Sequence, residues 1–569
     1  MKKTKLLFSA ILIGLLLIVA SCGNDDSSNS KGNNLDTTTG EPQEGGTLRM
    51  AFGSEDFKDT LIPGLATDAF NQNIVRMLFD GLAHQTGDLE LEPRIAESWE
   101  ISEDKMSLNV ILNEDAKWSD GEPITSEDIL FSFNTFASQE LIALGGDGGS
   151  ELSTIKGYSD IQEGKEESFE DTDGFEIISD YEFNIHFNEL DAKGISNILI
   201  VRPIPKHKLD DEPIKDWKNH PYVQEPDVTS GPYHVKEVQK PTTSILGANE
   251  DYYLSKPNIS EIVVQGVNVD VAPGLFANGE LDYMMKGINV SDIEDLESID
   301  NIQVVAKPGD IFEYVGLKHT KPQFQDVNVR QALMYAIPRE LIIDSIYKGN
   351  AEILNSPITE IINSHATEDD GMNPYEFDID KANELLDEAG WELDEDENRI
   401  DPNTGEPANF NLMYTQDNKK EQDLATTLQK YIEDIGITIT LQPEEGTTKS
   451  DKIQDDDDEV DMWIGAWGAI GDDPKGLWYT GMPWNWPRWS DEKNDELIKA
   501  TYATEDAFDE DKRTEALIDW QLYVNEQVPL LFLWTYYDVV LMSDQLSIPE
   551  EEMIDLGSTY NPQNWWLNQ

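Results

Sequence analysis

A single cysteine, Cys22, sets the terms on which this chain of 569 residues can fold. With no second thiol, no disulfide can staple the monomer and no cysteine-based zinc site can form within it. Burial of apolar surface has to hold the fold unaided. The body, residues 46–569, is too long for one apolar core and is expected to divide into two or three lobes.

Cys22 also closes an export signal. The chain opens M-K-K-T-K, runs through an apolar stretch over 6–20 and then reaches Ser21 and Cys22. A basic n-region, an apolar h-region and a small residue before a cleavage point make residues 1–21 a signal peptide. The apolar run falls short of the roughly 18–20 residues of a membrane-spanning helix. Val19-Ala20-Ser21-Cys22 resembles a bacterial lipobox, which implies that the cysteine is lipidated and becomes the mature N-terminus. Each buried methylene contributes about 0.8 kcal/mol and stable anchoring takes two chains, which a diacylglyceryl group supplies. Residues 22–45 are polar and rich in Gly, Ser and Asn. They are expected to be a flexible tether, holding the body about 25–30 Å from the membrane on its extracytoplasmic face.

Charge narrows the partners. With 113 acidic residues against 41 Lys and Arg, the formal net charge is −72, which excludes nucleic acid as a partner because phosphate binding needs basic surface. The 14 Trp, 19 Tyr and 19 Phe argue against disorder, since disordered acidic chains are poor in aromatics. The acid is spread along the chain, as on a solvated surface in a salty medium. The run 455–459, D-D-D-D-E, lacks the spaced ligands and the glycine of a calcium loop and reads as an exposed loop. Seven histidines without metal-ligand spacing predict neither metal nor cofactor.

Strand and helix periodicities interleave with no fixed repeat, which predicts a mixed α/β fold. Strands are expected over 46–52, 108–112, 311–317 and 437–441, and helices over 71–81, 329–337, 341–346, 380–389 and 424–435. Thr125, with Asp128 three residues on, reads as a helix N-cap, and Gly390 and Gly436 as helix ends.

The same segments carry a resemblance. L-E-P-R-I-A-E-S-W-E-I-S-E-D (91–104) and A-K-W-S-D-G-E-P-I-T-S-E-D-I-L-F-S (116–132) are followed in order by T-S-G-P-Y (229–233), N-E-D-Y-Y-L-S-K-P (249–257), A-N-G-E-L-D-Y-M (277–284), V-N-V-R-Q-A-L-M-Y-A-I (327–337), D-I-D-K-A-N-E-L-L-D-E-A-G-W (378–391) and I-G-I-T-I-T-L (435–441). The series resembles the family 5 extracellular solute-binding proteins, the oligopeptide and dipeptide receptors of ABC importers. The resemblance implies a two-lobed periplasmic-binding-protein-like fold with a hinge and an extra α/β domain inserted in the first lobe. Lobe I would take residues 46–80, 215–309 and 533–569, the extra domain 81–214, and lobe II 310–532. The chain would cross between lobes near 309–312 and 532–535. Implied with it are an oligopeptide ligand held between the lobes, delivery to membrane permease subunits, a monomeric state and no enzymatic chemistry.

Six of the fourteen tryptophans fall within 463–489, among Gly and Pro. Indoles offer large contact area at little entropic cost, so the segment is expected to form a ligand-facing wall, although any single Trp there can equally be core. The family places its peptide anchors in this stretch, with an Asp three residues after the tryptophan meeting the peptide ammonium. Here that position is Ile470, with Asp472 and Asp473 just beyond. The candidate ligand-binding residues are Trp467, Ile470, Asp472, Asp473, Trp484 and Trp486, with Phe52 and Ser54 on the opposite rim by family analogy. Two other readings stand beside this one. The same fold could hold a sugar or a metal chelate, and a secreted glycoside hydrolase would also combine carboxylates with aromatics.

Overall fold

An eleven-stranded mixed sheet runs through the protein, and two of its strands serve both halves. The computed structural model describes residues 41–53, 60–87, 89–147, 149–239, 243–285, 287–468, 471–549, 552 and 561–568. Cys22, Ser54 and Ile470 lie outside the described residues.

In chain order the strands of this sheet are β1 (Thr47–Phe52), β2 (Tyr233–Gln239), β3 (Thr243–Ala248), β4 (Glu261–Gly266), β5 (Tyr283–Met285), β6 (Ile302–Leu317), β7 (Ala351–Ile353), β8 (Asn409–Thr415), β9 (Thr438–Glu444), β10 (Met462–Trp467) and β11 (Leu530–Ser543). Their spatial order is β9-β8-β10-β6-β11-β5-β1-β4-β3-β2, with β7 also paired to β11. β1 runs parallel to β4 and β5, and β8 parallel to β9 and β10. The other pairings are antiparallel. A separate antiparallel sheet takes Ala96–Ile101, Ser107–Leu112, Glu182–His186 and Phe175–Ser179 in that order.

Local chemistry sets the helix ends. The helix Ser126–Ala137 begins with the expected capping box, in which the Asp128 carboxylate accepts from the Thr125 amide at 2.9 Å and its hydroxyl at 3.1 Å. The helix expected over 71–81 runs Ala69–Leu78 because Asp68 caps it by accepting from the Asn71 amide at 2.9 Å. Asn418 likewise starts Lys419–Glu433 earlier than the apolar spacing alone would place it. Gly390 and Gly436 both follow their helices at positive φ, +80° and +83°, where a Cβ would be strained.

Three apolar cores fill the body. One packs the four-stranded sheet and the helices Ala69–Leu78 and Ser126–Ala137 around Trp118, Phe133, Phe175 and Phe183. A second, around Trp391, Phe410 and Trp534, lies under β8 and the helices Val327–Tyr335 and Lys419–Glu433. The third gathers Phe312, Tyr314, Trp463, Trp478, Trp489, Trp520 and Phe532. The acidic run is a loop tied from below rather than a fully exposed one. The buried Lys318 ammonium donates to the Asp456 and Asp457 carbonyls, each at 2.7 Å.

The strand expected over 311–317 begins nine residues earlier and is the spine of the molecule. β6 pairs with β11 from Ile302↔Ser543 to Pro308↔Tyr537, breaks, and resumes from Phe312↔Thr535 to Gly316↔Leu530. Proline has no amide to donate, so the ladder weakens at Pro308. At Gly309 a Cβ would come within 2.6 Å of the Tyr536 carbonyl oxygen, so only glycine lets the two backbones approach this closely. The Thr535 hydroxyl donates to the Gly309 carbonyl across the break at 3.1 Å. On one side of the break β11 pairs outward with β5, and on the other with β7. The sheet therefore forks at this point.

A second irregularity follows between Glu313 and Tyr314. The Glu313 carboxylate is buried and accepts hydrogen bonds from the Trp534 indole at 2.6 Å and from the Tyr347 hydroxyl. Burial pushes its carboxyl up, and these donors together with the Lys420 ammonium counteract that only in part. Lys420 sits over the rings of Tyr347 and Tyr536 at 5.1 and 4.9 Å.

Candidate functional site

β10 carries the tryptophan-rich segment out of the sheet. Residues directly opposite on antiparallel strands share a face. The pairs Phe312↔Trp467, Tyr314↔Gly465 and Gly316↔Trp463 thus put three aromatic and glycine pairings on one side of β6 and β10. The two glycines make room for the rings opposite. A Cβ on Gly316 would lie 2.0 Å from the Trp463 indole, and one on Gly465 would lie 2.7 Å from the Tyr314 ring.

The six tryptophans then part company. Trp463, Trp478 and Trp489 are buried in the third core, Trp478 lying 6.0 Å from Trp520 and 5.9 Å from Phe532 between ring centroids. Trp467, Trp484 and Trp486 cluster at the end of β10, Trp467 and Trp486 packing on the edge of the same core. Trp467 meets Trp486 at 4.8 Å and Trp484 edge-on at 5.7 Å, and the last two lie 6.0 Å apart. Trp467 and Trp486 are half-buried, and Trp484 keeps 53% of its surface open.

One buried amide holds this group in place. Asn485 donates to the Trp489 carbonyl at 2.7 Å and to the Tyr479 carbonyl at 3.2 Å, while its oxygen accepts from the Trp489 amide at 3.1 Å. Of its two neighbours, Trp484 is thereby turned outward and Trp486 lies on the core edge. The Trp486 amide donates to the Trp484 carbonyl at 2.8 Å, a three-residue turn that brings the two indoles together.

The two aspartates have different surroundings. Asp472 is buried and already paired. Lys193, from the helix Ala192–Leu199, reaches its Oδ1 at 2.8 Å, and Arg513, from the helix Glu510–Gln527, contacts Oδ2. Burial pushes the Asp472 carboxyl up, but the pull of Lys193 and Arg513 wins and holds it below the usual carboxylate range. Asp473 is half-buried and accepts from the Lys475 amide at 3.0 Å, the turn-forming role open to an Asp before Pro474. Lys475 in turn lies 3.8 Å from both Glu189 and Asp191 and 4.4 Å from the Tyr502 ring centroid.

Phe52 stands apart from this group. It closes β1, where its ring is buried in the first core edge-on to Phe70 at 5.3 Å, and its carbonyl accepts from Val267. Sequence reasoning missed Lys193, Arg513 and Lys475, and also Leu89. Leu89 belongs to the 81–214 stretch yet packs on the third core and approaches Gly471. Among the described residues no cluster of three or more His, Cys, Asp or Glu could hold a metal ion. Nor is any described helix long and apolar enough to cross a membrane.

A sequence model of the bacterial extracellular solute-binding proteins, family 5, matches residues 90–485. The chain belongs to this family. It is a solute-binding protein and not an enzyme. It is 24% identical to the oligopeptide-binding protein AppA of Bacillus subtilis over 583 aligned residues, covering 100% of this chain and 99% of AppA. It is also 24% identical to haem-binding protein A of Haemophilus influenzae, over 68% of this chain and 69% of that one. The fold matches the structure of AppA in complex with a nonapeptide at a TM-score of 0.71 and 22% identity, covering 93% of this chain and 100% of AppA. It matches lactococcal OppA, in its closed conformation with an endogenous peptide, at a TM-score of 0.73 and 19% identity, covering 91% and 99%. The fold of this family 5 protein is thus the two-lobed α/β fold of the binding proteins.

Proposed function

We propose that this protein is a lipid-anchored receptor that captures oligopeptides between its lobes and delivers them to the permease of an ABC importer. The observation that carries the reading is the group of Trp467, Trp484 and Trp486, a partly open aromatic surface next to the break in the β6–β11 ladder. Alignment with an oligopeptide-binding protein along its whole length supports it. An extended peptide would gain affinity from main-chain hydrogen bonds and place side chains against the indoles. Lobe I would comprise 46–80, 215–309 and 533–569, lobe II 310–532, and the extra domain 81–214. The Gly309 break would then act as the hinge, a peptide touching both lobes and so favouring closure. Cys22 would carry the lipid and keep the monomeric receptor on the extracytoplasmic face of the membrane.

Native mass spectrometry of the purified protein tests the reading. Peptides should co-purify and exchange with an added peptide mixture. A sharp unliganded mass that ignores peptides would remove oligopeptides from consideration. Replacing Cys22 by Ala should move the protein out of the membrane fraction or block its maturation, and unchanged retention would argue against the anchor. A second reading, capture of a ring-bearing non-peptide solute, draws on the same indoles and on the haem-binding relative. It predicts a non-peptide mass in the same spectrum.

A further inference from the structure

The ion-paired Asp472 lies where two separately cored parts of the molecule meet. Its loop belongs to the third core through Trp478, and so does Arg513, whose helix buries Leu517, Trp520 and Val524 there. Arg513 also donates to the Asp472 carbonyl at 3.1 Å and to Thr501 at 3.2 Å, fixing the loop from its own side. Lys193 comes from elsewhere. Its helix is rooted by Ile198 and Leu199 in the first core, is capped by Asp191 and packs Gly194 against Thr154. Lys193 and Asp472 are 279 residues apart in sequence, and both are largely shielded, with side chains 13% and 8% exposed.

We propose that Lys193 is a built-in ammonium: it ties the helix Ala192–Leu199 to the loop after β10 and occupies the carboxylate that a ligand's positive charge would need. This rests on the oligopeptide reading of the cleft. An arriving ammonium would meet one negative charge at Asp472 and two positive ones already against it. The neighbouring acids are engaged to different degrees. Asp473 spends an oxygen on the Lys475 amide, and Asp191 and Glu189 flank the Lys475 ammonium. The receptor accordingly reads backbone and side chains and is indifferent to whether a peptide's N-terminus is free or blocked. Removing Lys193 leaves Asp472 held by Arg513, so the carboxylate is not orphaned and the fold survives. The net charge of the three groups then falls from +1 to zero, and the Asp472 Oδ1 is freed to accept from the ligand.

The test uses the full-length protein, wild type and Lys193→Met, with two probes: a synthetic nonapeptide mixture with free N-termini and the same mixture acetylated. Wild type should bind both within about twofold, whereas Lys193→Met should favour the free form by about tenfold or more, a difference of about 1.4 kcal/mol. Without any peptide, amide exchange of residues 192–199 and 471–478 should quicken in Lys193→Met, because the tie between them is gone. A wild type that loses about tenfold on acetylation overturns the proposal. So does a Lys193→Met protein with unchanged exchange in both segments. If neither protein binds peptide, the oligopeptide reading fails, and the exchange measurement alone decides whether the tie exists.

Discussion

Replacing Arg339 by Met should destabilise the protein by about 3–5 kcal/mol, read as a lower urea midpoint at unchanged slope. The guanidinium is 3% exposed and has no carboxylate partner among the described residues. It serves as a hub for four backbone carbonyls instead. Nη1 donates to Leu354 at 3.0 Å and Phe532 at 3.2 Å, and Nη2 to Pro374 at 2.5 Å and Tyr375 at 3.2 Å. Burial lowers its pKa to about 10, still well above physiological pH, so the charge persists. Met fills the volume but leaves the carbonyls without their donor, and each buried unsatisfied group costs about 1–3 kcal/mol. Lys, a point charge without the planar fork, should recover only part of the loss. A midpoint within about 1 kcal/mol of wild type for both variants would show that water replaces the guanidinium.

Trp467→Ala and Trp478→Ala should fail in opposite ways. Trp467 is half-buried and organises the outward indole group, so its loss should weaken peptide binding by about 30-fold, or about 2 kcal/mol, at modest cost to stability. Trp478 lies inside the third core between Trp520 and Phe532. Its truncation should cost about 3–5 kcal/mol of stability and leave the affinity of the folded fraction near wild type. Calorimetric titration and urea unfolding of the same two samples separate the cases. The opposite pattern would place the ligand surface elsewhere.

The contrast between these tryptophans marks how far periodicity reaches. The Gly and Pro among the tryptophans hide the strand β10 from the sequence reading, which expects none over 462–467, although Trp463 and Trp467 lie on one of its faces. Nor does periodicity say that Gly316 receives the Trp463 indole into the core while Trp467 stays half-exposed at its edge. Helix caps were legible because they are local. Thr125 with Asp128, Gly390 and Gly436 are signals spanning four residues or fewer. β6 was half legible, since Pro308-Gly309 interrupts the apolar pattern without ending the strand. Asp472 was legible as a candidate and illegible in its state, because the lysine that neutralises it comes from another part of the chain. Long-range ion pairs leave no periodic trace.

The forked sheet has a mechanical corollary. β6 and β11 are adjacent strands, bonded to each other on either side of a three-residue gap at 309–311. Sliding one strand past the other would have to break the ladder at Ile302–Pro308 or at Phe312–Gly316. Bending or twisting at the gap breaks neither. In this strand pair, rotation at the gap is the softer deformation and sliding the stiffer one.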